Sequence, residues 1–352
     1  MKILYVGQLS PNDSAQYRAW ALERLGHVVV GLNVLEYQPE SSLLRKVVHR
    51  AQMGPWVGRL NRDILRAAER ERPEVFWADK LLGLWPSTLD RLRAMGVKTV
   101  SYMIDNAFGP RRDPGWRLYM KDIPHFDLHV VQRNKNIADY MERGARDVIK
   151  IQTAYEPTIH FPASESVEGA EGWGEARRDR GVSFIGTSYD DRPEFLTRLW
   201  RECGFPVVIS GDRMWRERMD ADAAKALYTG GELYGSAYRE AIWRSKINLS
   251  FITHSNQDEF VHKSFEIAAC GGFLLAERSA GHEARFVEGE EAVFFTGFEE
   301  CAEKIRRYLP DVAARERIAA AGRVRAVRDG YGNDAQMCKI VERLLGVEER
   351  AR

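Results

Sequence analysis

Cysteine is scarce: four residues, at 203, 270, 301 and 338, and no C-x-x-C pair among them. That excludes a zinc ribbon or a disulfide framework and reads as reduced thiols in a cytoplasmic protein. Charge of one sign is missing too. Lys and Arg number 52 against 51 Asp and Glu, a net charge of +1, which gives no electrostatic footprint for nucleic acid. No apolar run approaches the roughly 20 residues that span a bilayer, so no transmembrane segment is expected, while peripheral membrane contact stays open. The opening Met-Lys-Ile-Leu-Tyr-Val-Gly is too short and too soon interrupted for a signal peptide. There is no G-x-G-x-x-G, no P-loop, no H-E-x-x-H and no G-x-S-x-G, which removes the best-known dinucleotide, phosphate-loop, metalloprotease and serine-hydrolase signatures. The eight His do not cluster at metal-ligand spacing, and no metal or cofactor is expected.

What remains is regular alternation. Apolar strands at about 3–6, 27–32, 74–78, 97–104, 127–131 and 148–152 are separated by helical patterns that stop at Gly26, Pro73, Gly96 and Gly144. Strands apolar throughout, with helices between them, indicate a parallel sheet covered on both faces, and right-handed crossovers make it doubly wound. A polar stretch rich in Gly, Pro and Glu interrupts the pattern. The alternation then restarts at 182–185 and runs through strands at 206–210, 247–252 and 292–295. The expected architecture is α/β, with two Rossmann-like domains facing a cleft: residues 1–160, a linker at 161–180, and residues 181–330.

Ligands of open α/β sheets bind beyond the carboxyl ends of the strands, so the loops after each strand carry the candidates. In the second domain Gly186 lets the backbone approach a ligand, Thr187 adds a hydroxyl and Arg192 a planar donor fork. The segment from His262 to Leu275 reads as a short helix that starts in a polar loop, stops at Gly271-Gly272 and gives way to a buried strand. Lys263 and Glu266 lie in its first turns, where backbone N–H groups and a cation suit phosphate. Glu266 stands among apolar residues and needs donors, which sugar hydroxyls supply. Asp258 lies eight residues earlier in the polar loop, where a second carboxylate would address another part of the same ligand. His254 and His262 flank that loop. In the first domain the corresponding positions are Gly7-Gln8, Asp79-Lys80 and Asp105, the last a candidate base. The run from Phe108 to Trp116, with Arg111, Arg112 and Trp116, reads as an exposed loop, the alternative being that it holds an acceptor.

The stretch Lys263-Ser264-Phe265-Glu266-Ile267-Ala268-Ala269-Cys270-Gly271-Gly272-Phe273-Leu274-Leu275 resembles the donor-site motif of retaining GT-B glycosyltransferases, and is nearest to the spore-maturation CgeB-type branch. Phe184-Ile185-Gly186-Thr187 followed by Arg192, and Gly330-Tyr331-Gly332 before a terminal helix, fit the same family over residues 180–345. The resemblance implies a terminal helix, residues 331–352, that returns to the first domain. It implies two carboxylates eight apart that bracket the donor: Glu266 on the ribose and Asp258 beside the transferred sugar. The family's usual residue at the second place is Glu; here the shorter Asp258 stands there, with Glu259 next to it. The expected donor-binding set is Gly186, Thr187, Arg192, His262, Lys263 and Glu266, with Arg192 ahead of Lys263 as phosphate ligand. The expected catalytic pair is Asp105 and Asp258, and Gly7 and Gln8 face the acceptor.

The activity implied is sugar transfer from a nucleotide diphosphate to a carbohydrate, lipid-linked or protein acceptor, with retention and without a metal. Two alternatives stay open: a nucleotide-sugar epimerase of the same architecture and a non-catalytic sugar- or nucleotide-binding scaffold.

Overall fold

A computed structural model of the chain describes residues 1–110, 113–166 and 174–346. Arg111, Arg112 and residues 167–173 of the expected linker lie outside the described residues. The chain divides into two compact units, Met1–Gln152 with Asn333–Arg352, and Thr153–Gly332.

The first unit holds β1 (Lys2–Gly7), β2 (Val28–Asn33), β3 (Val75–Asp79), β4 (Lys98–Tyr102), β5 (Leu128–Val131) and β6 (Val148–Lys150). They form one sheet in the order β2-β1-β3-β4-β5-β6, with parallel pairing throughout. The second unit holds β7 (Arg180–Ile185), β8 (Val207–Ser210), β9 (Tyr228–Gly230), β10 (Ser245–Ser250), β11 (Leu274–Glu277) and β12 (Val293–Phe295). Their order is β12-β11-β10-β7-β8-β9, again all parallel. Every residue of β3 and of β7 is buried, because helices cover both faces of each sheet.

In each sheet the strand order reverses beside the first strand in sequence, between β1 and β3 and between β7 and β10. At such switch points the crossover helices leave on opposite faces, and the flanking loops open a crevice.

The last helix, Asn333–Leu345, belongs to the first unit. Met337, Ile340, Val341 and Leu344 pack with Ile3, Tyr5, Val75 and Trp77, and Arg24 pairs with Asp334 at its start.

Three features depart from the sequence reading. The first unit ends at Gln152, so residues 153–160, expected in the first domain, lie in the second. Tyr155 is buried there among Phe265, Phe286 and Tyr331, and Phe161 packs on Trp243; this aromatic burial outweighs the Pro-rich local signal. A helix at Trp116–Asp122 continues the stretch read as an exposed loop. Trp116 and Tyr119 are buried, and the Tyr119 hydroxyl meets those of Ser101 and Tyr140 at 3.0 and 2.6 Å. Between β8 and β10, helices Met214–Arg218 and Ala221–Leu227 and the edge strand β9 fill a span the periodicity left unassigned. Asp220 starts the second of these helices by accepting from Ala223 N at 3.0 Å.

Candidate active site

The loops after β7 and β10 meet at the switch point of the second sheet. From the β10 loop rises the helix His262–Ala269. Its sequence alternates an inner face, Ser264, Phe265, Ile267, Ala268 and Ala269, all buried, with a more open one that carries His262, Lys263 and Glu266. It ends at Cys270, where Gly271 N and Gly272 N donate to Ala268 O and Ile267 O at 3.0 and 2.9 Å. Val261 at the helix start supplies no side-chain cap, and Ser264 N donates to Val261 O at 3.2 Å.

The Glu266 carboxylate accepts from the Tyr238 hydroxyl at 2.7 Å and lies 3.9 Å from His160 Nε2. Burial pushes its pKa up, but the charges of His160, His262 and Lys263 and the Tyr238 hydrogen bond outweigh that and hold it below the ordinary carboxylate range. It is therefore an ionised acceptor at neutral pH. One turn earlier the half-buried Lys263 ammonium sits 5.6 Å from the Phe184 ring centre and 5.4 Å from that of Tyr238. Burial lowers its pKa to about 8, with help from Arg192 and against the pull of Glu266. An ammonium that costly to keep charged gains most when an anion arrives.

Gly186 makes room for this cation. A Cβ at position 186 would stand 3.2 Å from Lys263 Nζ, and the backbone there has φ +154°. The Gly186 carbonyl is clamped by Trp215 Nε1 at 2.7 Å, and Gly211 packs so closely on it that a Cβ would come within 2.0 Å. Thr187 lies half-exposed one residue on and lends its carbonyl to Arg192.

Arg192 is buried at the start of its helix, Arg192–Arg201. Nη1 donates to Thr187 O at 3.1 Å, and Nη2 to Ile252 O and Thr253 Oγ1 at 3.0 and 3.1 Å. Nη1 and Nη2 thus tie the β7 loop to the β10 loop, while Nε has no hydrogen-bond partner, so Arg192, expected ahead of Lys263 at the phosphates, has most of its fork engaged within the protein. Further stitches join the same loops. Asp190 Oδ2 accepts from His254 N at 3.0 Å, and Glu277, the last residue of β11, accepts from Ile252 N and meets His254 Nε2 at 2.9 and 2.7 Å. Asp258 is half-buried, with Asn256 Nδ2 donating to Oδ1 at 2.8 Å. His262 Nδ1 faces Ala154 O at 3.3 Å, which ties the helix start to the segment entering the second unit.

In the first unit Asp105 lies beyond β4, paired with Lys80 at 3.0 Å. Asp79 has a structural role. It is buried and receives Arg18 Nε and Nη2 at 2.6 and 2.8 Å and the Tyr5 hydroxyl. Breaking such a pair costs about 3–5 kcal/mol. Gly7 ends β1 directly above it, and Gln8 hydrogen-bonds Asp13 at 2.9 Å. A cavity of about 550 Å³ opens at this switch point, lined by Gln8, Arg18, Arg45, His49, Trp56 and Lys80 among others. Among the described residues no group of three or more His, Cys, Asp or Glu is gathered as a metal site.

Sequence reasoning missed His160, Tyr238 and Glu277. His160 was assigned to the wrong unit. Tyr238 sits in an unremarkable amphipathic helix, Gly235–Trp243. Glu277, a charged residue closing an apolar strand at its carboxyl end, carried a usable signal.

Residues 192–342 match the model of a family described as glycosyl transferase-like. The whole chain resembles several solved structures. Sucrose-phosphate synthase from Thermosynechococcus elongatus aligns with TM-score 0.68 at 12% identity, covering 99% of this chain and 100% of that one. HepE from Anabaena, in complex with UDP and glucose, aligns with TM-score 0.64 at 14% identity over 98% and 100%. A UDP-forming trehalose-phosphate synthase from Burkholderia xenovorans gives 0.64 at 14% over 98% and 99%. No curated protein matches the chain in sequence. The fold is GT-B.

Proposed function

We propose that the protein is a glycosyltransferase that moves a sugar from a nucleoside diphosphate to an acceptor hydroxyl. The observation that carries this reading is the pairing, at the switch point of the second sheet, of Lys263 at an uncapped helix start with the ionised Glu266 one turn on. A diphosphate fits the first and ribose hydroxyls fit the second. The family match over residues 192–342 and the solved relatives bound to UDP and UDP-glucose support the donor class.

In the reaction the bond between the anomeric carbon and the diphosphate oxygen breaks and one to the acceptor oxygen forms, while the acceptor proton leaves to a base. Charge gathers on the departing diphosphate, and Lys263 and the first-turn N–H groups neutralise it. Arg192 holds the two loops in place for this. Asp258 is assigned to the transferred sugar, and Asp105 is offered as an acceptor-side base. Retention, independence of a metal and membership of the CgeB-type branch are further parts of the proposal, and rest on the Lys263–Leu275 motif.

A thermal-shift screen against UDP-, GDP-, ADP- and TDP-sugars tests it. One of them should raise the melting temperature in proportion to the logarithm of its concentration. That donor should release its nucleotide much faster with an acceptor than without. Rearrangement of the donor alone would point to an epimerase, and no binding at all to a scaffold.

A further inference from the structure

The helix Ser42–Ala51, in the first unit, is built inside out. Leu43, Leu44, Val47 and Ala51 fall within about 100° of its circumference, yet no residue of the helix is buried. Leu43 is 70% exposed, Val47 54% and Leu44 44%, and Met53 just beyond the helix is 69% exposed. An amphipathic helix on a globular unit ordinarily turns such a stripe to the core. Here Arg45, Lys46 and His49, on the opposite side, turn inward to line the first-unit cavity, with His49 held by Asp113 at 2.6 Å.

Charge identifies the occupant. Between Glu40 and Asp63 there is no acidic residue, while Arg45, Lys46, His49, Arg50, Arg59 and Arg62 all lie in that stretch. Against a chain whose net charge is only +1, this is a local concentration of cations, and the exposed Arg50 falls beside Leu43 on the helix circumference, at the flank of the apolar stripe. A second copy docked on the stripe would bring the two Arg50 side chains together, with no acidic residue between Glu40 and Asp63 to offset them. A surface with an anionic layer above an apolar interior satisfies both halves. We infer that the helix Ser42–Ala51 docks the first unit on an anionic lipid bilayer, with Leu43, Leu44, Val47 and Met53 inserted among the acyl chains and Arg50 among the headgroups. The inference concerns the surface alone and stands or falls independently of sugar transfer.

Co-sedimentation of the full chain with lipid vesicles tests it. The protein should partition onto phosphatidylcholine vesicles containing about 30% phosphatidylglycerol, far less onto phosphatidylcholine alone, and less as salt rises. Leu43→Glu with Val47→Glu should lower partitioning at least about tenfold with the thermal melt unchanged, and Arg50→Glu should weaken it on the anionic vesicles only. If the paired Glu variant fails to fold, Leu43→Ser with Val47→Ser reads the same loss. Absence of wild-type binding to anionic vesicles, or equal binding by wild type and variant, would overturn the inference. So would a wild-type dimer in solution that the same substitutions dissolve, since the stripe would then belong to a second copy.

Discussion

Lys263 makes donor affinity a function of pH. Its pKa, lowered to about 8 by burial, leaves it about nine-tenths protonated at pH 7 and about one-tenth at pH 9. If only the ammonium form holds a diphosphate, affinity for UDP, taken as the probe, should fall about tenfold across that interval. The second phosphate ionisation, near pH 6, lies below the window and adds little. A charge-assisted hydrogen bond is worth about 1.5–3 kcal/mol, so Lys263→Met should weaken binding about tenfold to a hundredfold at pH 7 and flatten the profile. The assay is calorimetric titration of wild type and Lys263→Met at pH 7, 8 and 9. A flat wild-type profile, or a variant that binds as tightly as wild type at pH 7, would refute the assignment of Lys263 to the phosphates.

Three further outcomes follow from the same geometry. Glu266→Ala removes the ionised acceptor that Tyr238 holds at 2.7 Å; calorimetry should show UDP affinity at least about tenfold weaker, Glu266→Gln should recover part of it, and full affinity in a folded Ala variant would contradict the ribose role. His282 and His129 are buried and held neutral, with burial lowering each pKa to about 4. Their folded values lie below the unfolded one, so stability is lost as pH falls from about 6.5 toward 4. Each should cost about 2 kcal/mol between pH 6.5 and 4.5, read from urea midpoints. Asp122 is the opposite case, with burial raising its pKa to about 8 and Oδ1 without a partner. The folded state keeps it protonated, so stability falls as pH rises from about 4 to 8. Asp122→Asn should gain about 2–4 kcal/mol at pH 8 and little at pH 4 in the same unfolding assay.

Much of the fold is legible in the chain because its signals are local. Gly26, Gly96 and Gly144 follow helix ends, and a strand starts within four residues of each. The helix Trp116–Asp122 escaped because Gly109, Pro110, Pro114 and Gly115 dominate its surroundings, while the burial of Trp116 and Tyr119 that selects helix comes from distant strands. Glu266, Lys263 and Gly186 are readable as a candidate site because a helix start after a parallel strand has a known use. The job of Arg192 is not: an Arg after a strand looks the same whether its fork meets a phosphate or the carbonyls of Thr187 and Ile252. His160 reaches Glu266 only through packing of Tyr155 and Phe161. Periodicity also shows that Ser42–Ala51 has an apolar face but not which way that face looks.

Where the donor binds matters as much as what is transferred, and a crystal structure with bound UDP decides it. The diphosphate should lie at the start of helix His262–Ala269, with Lys263 Nζ and the Gly186–Thr187 backbone within hydrogen-bond reach and the ribose hydroxyls on Glu266. Nucleotide density elsewhere on the chain, or the ribose turned away from Glu266, would contradict it.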